Sequence, residues 1–219
     1  MNAFAQRQRL TPGMTLPRHR HVGAYAALVL SGGYEEAGDA GRRRVEAGDV
    51  VLHGPFEAHL DRSGRVGARV LNLPTGGLTG GFRRLDDPDA VARLAERDPI
   101  AAARLLTDLV RPAPFGADDW PDRLAAALAG SETFRLEDWA LRHGLTPEAV
   151  SRGFRRVFAV SPSRFRLEAR ARQAWGAVRT GGGSLAAIAA DAGFADQAHM
   201  TRAVSSLTGR PPGAWRIAA

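Results

Sequence analysis

His19 and His21 stand two positions apart at the end of the segment Gly13-Met14-Thr15-Leu16-Pro17-Arg18-His19-Arg20-His21, and His59 follows the turn Gly54–Ala58. On a β-strand alternate side chains share a face, so both imidazoles of the pair point into one cavity. Three histidines so placed fit a divalent metal, with zinc, nickel or iron the best-suited ions. They fit a small organic effector in an apolar pocket equally well, with Tyr25, His19, His21 and His59 as hydrogen-bonding partners. Aromatic residues are scarce before residue 81, which argues against a large flat ligand. Histidine alone points weakly to metal, so the spacing leaves both readings open.

A second set of residues carries a different chemistry. Arg152 and Arg202 lie about 50 positions apart, and their surroundings repeat at the same offset. Thr146 answers Asp196, Ser151 answers Thr201, Pro162 answers Pro212, and Phe165-Arg166 answers Trp215-Arg216. One supersecondary module used twice explains such a repeat. Arginine takes guanine O6 and N7 bidentately, and glutamine does the same with adenine, so Arg152, Arg202 and Gln197 are candidate base readers.

These side chains need helices to present them. Thr146 before Pro147 and Ser161 before Pro162 each pair a capping hydroxyl with proline at the first helical position. Asp196 and Ser184 cap two further helices, and Gly209 stops the last. The pattern predicts helices over Pro121–Leu128, Phe134–His143, Pro147–Phe158, Pro162–Val178, Leu185–Ala192 and Gln197–Leu207. In the first reading helix Val150, Phe154, Val157 and Phe158 face a core, while Ser151, Arg152, Arg155 and Arg156 face outward. In the second, Met200, Val204 and Leu207 face inward and Gln197, His199 and Arg202 outward. The helix Pro162–Val178 is about 25 Å long. With its flanks it spans the roughly 34 Å between successive turns of one DNA groove.

Composition supports this division. The formal net charge is +7, and all 30 basic residues are arginine. Coding bias discounts the overall charge, yet arginines far outnumber acids between Arg142 and Arg216. A phosphate-binding surface requires that concentration. Cysteine is absent, which excludes disulfides, thiolate metal sites and thiol catalysis. No signal-peptide core and no spanning apolar run is present, so the expectation is a soluble cytoplasmic protein without membrane contact.

The first 81 residues read as short strands separated by Gly-rich turns, in a sandwich or barrel. Thr75–Gly81 reads as a linker. A helix starting at Asp86 or Asp87 presents Val91, Leu94 and Ala95. Another, Ile100–Val110, presents Ala101, Leu105 and Leu109 on one face; the two cover an open sheet edge, form a dimer contact or do both, with covering their own domain the default. Arg111–Gly116 reads as an interdomain linker. The expected organisation is residues 1–81, a helical segment and linker over 82–115, and a helical domain over 116–219.

The region Asp118–Arg216 resembles the AraC/XylS family DNA-binding domain. The resemblance rests on Ala187-Ile188-Ala189-Ala190-Asp191-Ala192-Gly193-Phe194, Met200-Thr201-Arg202 and Gly209-Arg210-Pro211-Pro212-Gly213-Ala214-Trp215-Arg216. Phe154-Arg155-Arg156-Val157-Phe158 through Ser161-Pro162 matches the family's first unit. The resemblance implies a transcription regulator with two recognition helices on double-stranded DNA. By position, Glu148, Ser151, Arg152 and Arg155 belong to the first head, and Gln197, His199 and Arg202 to the second. Val204 stands where the family prefers an aromatic, and Glu148 is an acid facing phosphate or cytosine.

The N-terminal region is similar to a cupin: Gly13–His21 fits the first cupin motif, and Gly48–His59 fits the second loosely. That likeness implies a jelly-roll sensor barrel, giving an α+β chain with a β-rich cupin barrel followed by an all-α tandem helix-turn-helix domain. Tyr25 stands where the cupin pattern calls for a glutamate ligand, and Glu57 and His53 are the substitutes within reach. The function implied is a sequence-specific regulator sensing a small molecule or metal, not an enzyme, as monomer or homodimer, with RNA polymerase a further partner. The alternative is a metal-dependent cupin enzyme fused to a helical DNA-binding domain.

Overall fold

The computed structural model describes residues 5–75, 77–78, 80–113, 119–130, 132–181 and 183–216. The chain divides into two compact units, Met1–Ala117 and Asp118–Ala219.

The first unit is an antiparallel sheet followed by two helices. Its strands are β1 (Gln6–Leu10), β2 (Thr15–Arg20), β3 (Tyr25–Gly38), β4 (Gly41–Glu46), β5 (Asp49–His53), β6 (Ala58–Leu73), β7 (Gly81–Arg84) and β8 (Arg111–Pro112). They join in the order β1-β6-β3-β5-β7-β8, with β2 also on β6 and β4 on β3. The two long strands bend. A straight β3 would hold its ends about 43 Å apart at 3.3 Å per residue. Instead, the Tyr25 hydroxyl reaches His59, whose backbone pairs with Gly38 at the other end of β3. The sheet therefore coils over itself and encloses an interior.

The bend lies where β3 slips register against β6, between Val29 and Tyr34. Gly32 and Gly67 both adopt positive φ there, at 71° and 72°. A Cβ at Gly32 would collide with the Gly67 carbonyl, and one at Gly67 with the Leu10 carbonyl. Only glycine meets both demands.

Two helices close one side of the sheet. Helix α1 (Pro88–Ala95) starts on the Asp87 carboxylate, which accepts from the Ala90 N–H. Helix α2 (Pro99–Leu109) starts on Asp98, which accepts from Ile100 and Ala101. Val91, Ala92, Ala95, Ala102 and Leu106 join Ala26, Leu28, Val50, Leu52, Leu71, Leu73 and Leu85 in one core. The helices cover their own domain, as expected. The buried face of α2 is Ala102, Ala103 and Leu106, however, and Leu109 is exposed. Small side chains at 101, 102 and 103 and leucines at 105 and 106 allow two faces one residue apart. Packing on α1 selects the second.

Two more boundaries differ from the sequence reading. Gly81 opens β7 rather than ending a linker, and Arg111-Pro112 pairs with Arg84 and Arg83 as an edge strand. Proline there is tolerated because an edge strand has one side without ladder bonds. Pro114–Gly116 of the expected linker lie outside the described residues.

The second unit is helical: α3 (Trp120–Ala129), α4 (Leu136–Arg142), α5 (Pro147–Phe158), α6 (Pro162–Arg179), α7 (Leu185–Asp191), α8 (Gln197–Thr208) and a 3-10 turn, Pro212–Trp215. Phe154, Phe158 and Phe165 form its first core, with ring centroids 4.6 to 5.4 Å apart. Among the described residues no helix is long and apolar enough to cross a membrane.

Candidate functional site

The interior of the β unit gathers an imidazole cluster from four strands or their ends. Backbone pairing sets it: His19 faces His59 across β2 and β6, Tyr25 faces His53 across β3 and β5, and Glu36 faces Asp61 across β3 and β6. His59 lies with its ring centroid 4.4 Å from His19, 4.4 Å from His53 and 5.5 Å from His21. Tyr25 stacks on His53 at 4.4 Å and 21°.

Hydrogen bonds orient these rings. His19 Nδ1 donates to the Pro17 carbonyl at 2.9 Å, leaving Nε2 with its lone pair. His59 Nδ1 donates to Asp61 Oδ1 at 3.1 Å, and His59 Nε2 accepts from the Tyr25 hydroxyl at 3.0 Å. Holding one ring nitrogen with a carbonyl or carboxylate presents the other as a metal ligand. Donor atoms of His19, His21 and His59 all lie within 4.8 Å of one another, and so do those of Glu36, His53 and His59.

Electrostatics follow from burial. Desolvation, reinforced by His19 and His59 and opposed by Asp61, pulls His21 down to about 4. Desolvation with His59, His21 and His19 likewise lowers His53. Burial resists a charge on His59, but the hydrogen bond to Asp61 and the nearby Glu36 outweigh it and raise the ring. Burial and the carboxylates of Glu36, Asp61 and Glu57 push Tyr25 up, so it stays a hydroxyl. Glu36 rises to about 8, with desolvation first and His59 opposing it.

In the helical unit α5 and α8 match in outline. α5 and α8 span 12 residues each. Thr146 accepts from the Ala149 N–H, and Asp196 from the His199 N–H. Each helix ends on a left-handed residue, Ala159 at φ 59° and Gly209 at φ 74°. Val150, Phe154 and Phe158 are buried on α5, and Met200, Ala203, Val204 and Leu207 on α8. Val204 is fully buried, so a second head built on aliphatics still closes its core.

The opposite faces are polar. Glu148, Arg152 and Arg155 are exposed on α5, with Ser151 half-buried beside them. Gln197 and Arg202 are exposed on α8, while half-buried His199 meets the Phe194 ring edge-on at 5.1 Å. Helix α6 ties both heads together. Its Phe165 packs on Phe154 and Phe158, and Arg170 Nη1 donates to the Gly193 carbonyl in the turn before α8. Trp175 meets Trp215 edge-on at 5.8 Å, and Trp215 Nε1 donates to Thr208 at the end of α8.

Residues 139–218 match the family described as a helix-turn-helix domain. This match covers about a third of the chain. The matched helix-turn-helix region takes in α5 and α8 whole, together with α6 between them. No curated protein matches the chain.

Three solved structures illustrate the likeness. ToxT from Vibrio cholerae, with an unsaturated fatty acid bound, is 10% identical over 97% of this chain and 94% of its own, at a TM-score of 0.44. An AraC-type regulator from Chromobacterium violaceum is 20% identical over 42% of this chain and 85% of its own, at 0.40. A salicylate 1,2-dioxygenase mutant from Pseudoaminobacter salicylatoxidans is 23% identical over 31% of this chain and 21% of its own, at 0.30. At such scores none bears on what this chain binds.

The sequence reading placed His19, His21, His59 and Tyr25 together, and the structure holds them within one cluster. Glu57 is nearby but commits Oε2 to the Gly54 N–H at 2.8 Å, bracing the turn before β6. His53 lies inside the cluster. Glu36 and Asp61 were missed. Glu36 sits in the run Tyr34-Glu35-Glu36-Ala37, where alternation alone puts it on the face of buried Tyr34.

Proposed function

We propose that the chain is a one-component regulator whose AraC-type domain reads two adjacent major-groove segments while the β unit receives the effector. The carrying observation is the duplicated cap, length and exposed face of α5 and α8. In a helix-turn-helix the N-terminal turns of the second helix enter the groove. Glu148, Ser151, Arg152 and Arg155 on α5, with Gln197, His199 and Arg202 on α8, occupy those turns or the exposed face that continues them. Arg152 and Arg202 read bases, and Arg155 extends the first contact along the backbone.

Effector binding falls to the imidazole cluster. His19, His21 and His59 fit a divalent metal such as zinc, nickel or iron, since two of the rings already have their outer nitrogens anchored. Bound there, a metal supplies a positive charge among strands that the coil of the sheet holds together. Tyr25 and Glu57 are the contacts we assign to a small polar molecule bound beside the cluster. Either ligand regulates only by binding one conformation of the chain better than another.

The test is a gel shift with the full chain on upstream DNA of its own gene and its neighbours. Arg152→Ala and Arg202→Ala are each expected to lose specific retention while keeping their helical circular dichroism. Unchanged affinity in both variants rejects the assignment of the reading heads.

A further inference from the structure

We propose that a divalent transition metal binds the fully buried triad of Glu36, His53 and His59. This goes beyond the effector reading above, placing the ion on a different triad of the same cluster whether or not the ion is the effector. The side chains come from β3, β5 and β6, and their residues are 1%, 3% and 6% exposed. A carboxylate taken out of water is costly unless it is paired and hydrogen-bonded. Yet His53 Nε2 is buried without a hydrogen-bond partner, and beside it Glu36 shares a hydrogen bond with the Tyr34 side chain while facing two imidazoles. Native interiors rarely leave a buried imidazole nitrogen unpartnered beside a carboxyl group, and a bound ion is one standard reason for such a nitrogen.

The distances separate an ion site from a hydrogen-bonded pair. Glu36 Oε2 lies 3.5 Å from His53 Nε2 and 3.7 Å from His59 Nδ1. Hydrogen bonds at such atoms run about 2.7 to 3.2 Å. Ligands held at about 2.0 to 2.2 Å around tetrahedral zinc, by contrast, sit roughly 3.4 Å from each other. The two edges from Glu36 Oε2 thus match those of a coordination polyhedron, and the third lies within 4.8 Å. The triad also supplies the anionic oxygen that the three histidines at the cupin positions lack, Tyr25 being held as a neutral hydroxyl. Two imidazoles and one carboxylate form a recurrent set for zinc and other late first-row ions.

His59 belongs to both triads, through different nitrogens. Its Nδ1 faces Glu36 and its Nε2 faces Tyr25. Coordination at Nδ1 requires that nitrogen to give up its proton and its hydrogen bond to Asp61, and leaves the ring proton on Nε2, where it donates to the Tyr25 oxygen. That nitrogen is then no longer a ligand for an ion beside His19 and His21. The two triads compete, and one cation per chain is the expected stoichiometry.

The experiment uses the full chain, stripped with chelator and titrated with Co2+, followed by its visible absorption. X-ray absorption of the Zn2+-loaded protein then counts ligands. One Co2+ per chain is expected, with two imidazoles and carboxylate oxygen in the shell. Glu36→Gln and His53→Gln should each weaken Co2+ by about tenfold or more. Retention of Co2+ in Glu36→Gln together with its loss in a His19→Ala/His21→Ala variant overturns the proposal. So does a three-imidazole shell in the wild-type protein, which decides the matter even if the buried variants fail to fold. Absence of Co2+ uptake by folded wild-type chain overturns it as well. DNA affinity measured with and without Zn2+ is a separate readout: a bound metal that leaves it unchanged upholds the site and rejects the effector reading.

Discussion

Thr146 and Asp196, about 50 residues apart, close the same hydrogen bond, each accepting from the backbone N–H three positions on. Cap, helix length and left-handed stop all recur at that offset. Duplication thus extends from residue pattern to backbone geometry. It lets one chain carry two reading helices whose first turns are set by equivalent devices.

The caps should be separately measurable. Thr146→Ala and Asp196→Ala are each expected to cost about 1 kcal/mol of stability in the helical unit. Urea unfolding followed by helical circular dichroism checks this, and a midpoint unchanged in both variants contradicts the capping role.

The two stops differ in one respect. Ala159 adopts a left-handed conformation that costs an alanine about 1 kcal/mol, whereas Gly209 adopts it freely. Ala159→Gly is therefore expected to stabilise the unit by roughly 0.5 kcal/mol, after the extra freedom glycine gives the unfolded chain. Gly209→Ala should destabilise by about 1 kcal/mol, since the added methyl meets nothing within 4 Å and only backbone strain acts. Equal shifts of one sign in thermal melts would count against this account of the stops.

The bend of the sheet rests on Gly32 and Gly67. Gly67→Ala adds both a carbonyl clash and a disfavoured φ, and should cost roughly 2 kcal/mol or more. Because the bend brings Tyr25 to His59, chemical shifts of the His59 ring are expected to move in that variant. A melt and a ring spectrum identical to wild type would contradict the role given to the bend.

His21 gives a pH prediction with a definite sign. Its folded value near 4 lies below the usual 6.5, so the unfolded chain takes up the proton first. Stability from this group is full above about pH 6.5 and is lost as pH falls towards 4. His21→Gln should flatten the loss of melting temperature between pH 7 and pH 5 relative to wild type. Glu36, raised to about 8, and His59, also raised, work in the opposite direction in both proteins, while His53, lowered in part by His21, shifts in the same sense as His21. An unchanged or steeper slope in the variant speaks against a buried neutral ring.

Local chemistry explains what was readable in the sequence. Thr146, Ser161, Ser184, Asp196 and Gly209 act within a few residues of themselves, so the helical unit was legible nearly end to end. The start of α2 was less so: Asp98 before Pro99 is a capping pair of the same kind, passed over for the apolar run that follows. In the β unit the strand textures were visible, but pairing was not. Glu36 meets His53 and His59 only because β3 bends and β6 lies beside it in one register. Nothing within the strand itself encodes either fact. The edge strand Arg111-Pro112 was hidden for the same reason, its existence depending on β7.

The central claim is that α5 and α8 read two separate segments of one DNA site. Selection from a random duplex library with the full chain tests it most directly. The account expects a motif of two segments about 10 base pairs apart, centre to centre. Arg152→Ala should relax one segment, and Arg202→Ala the other. A single short motif, or the same two segments selected undiminished by both variants, would contradict it.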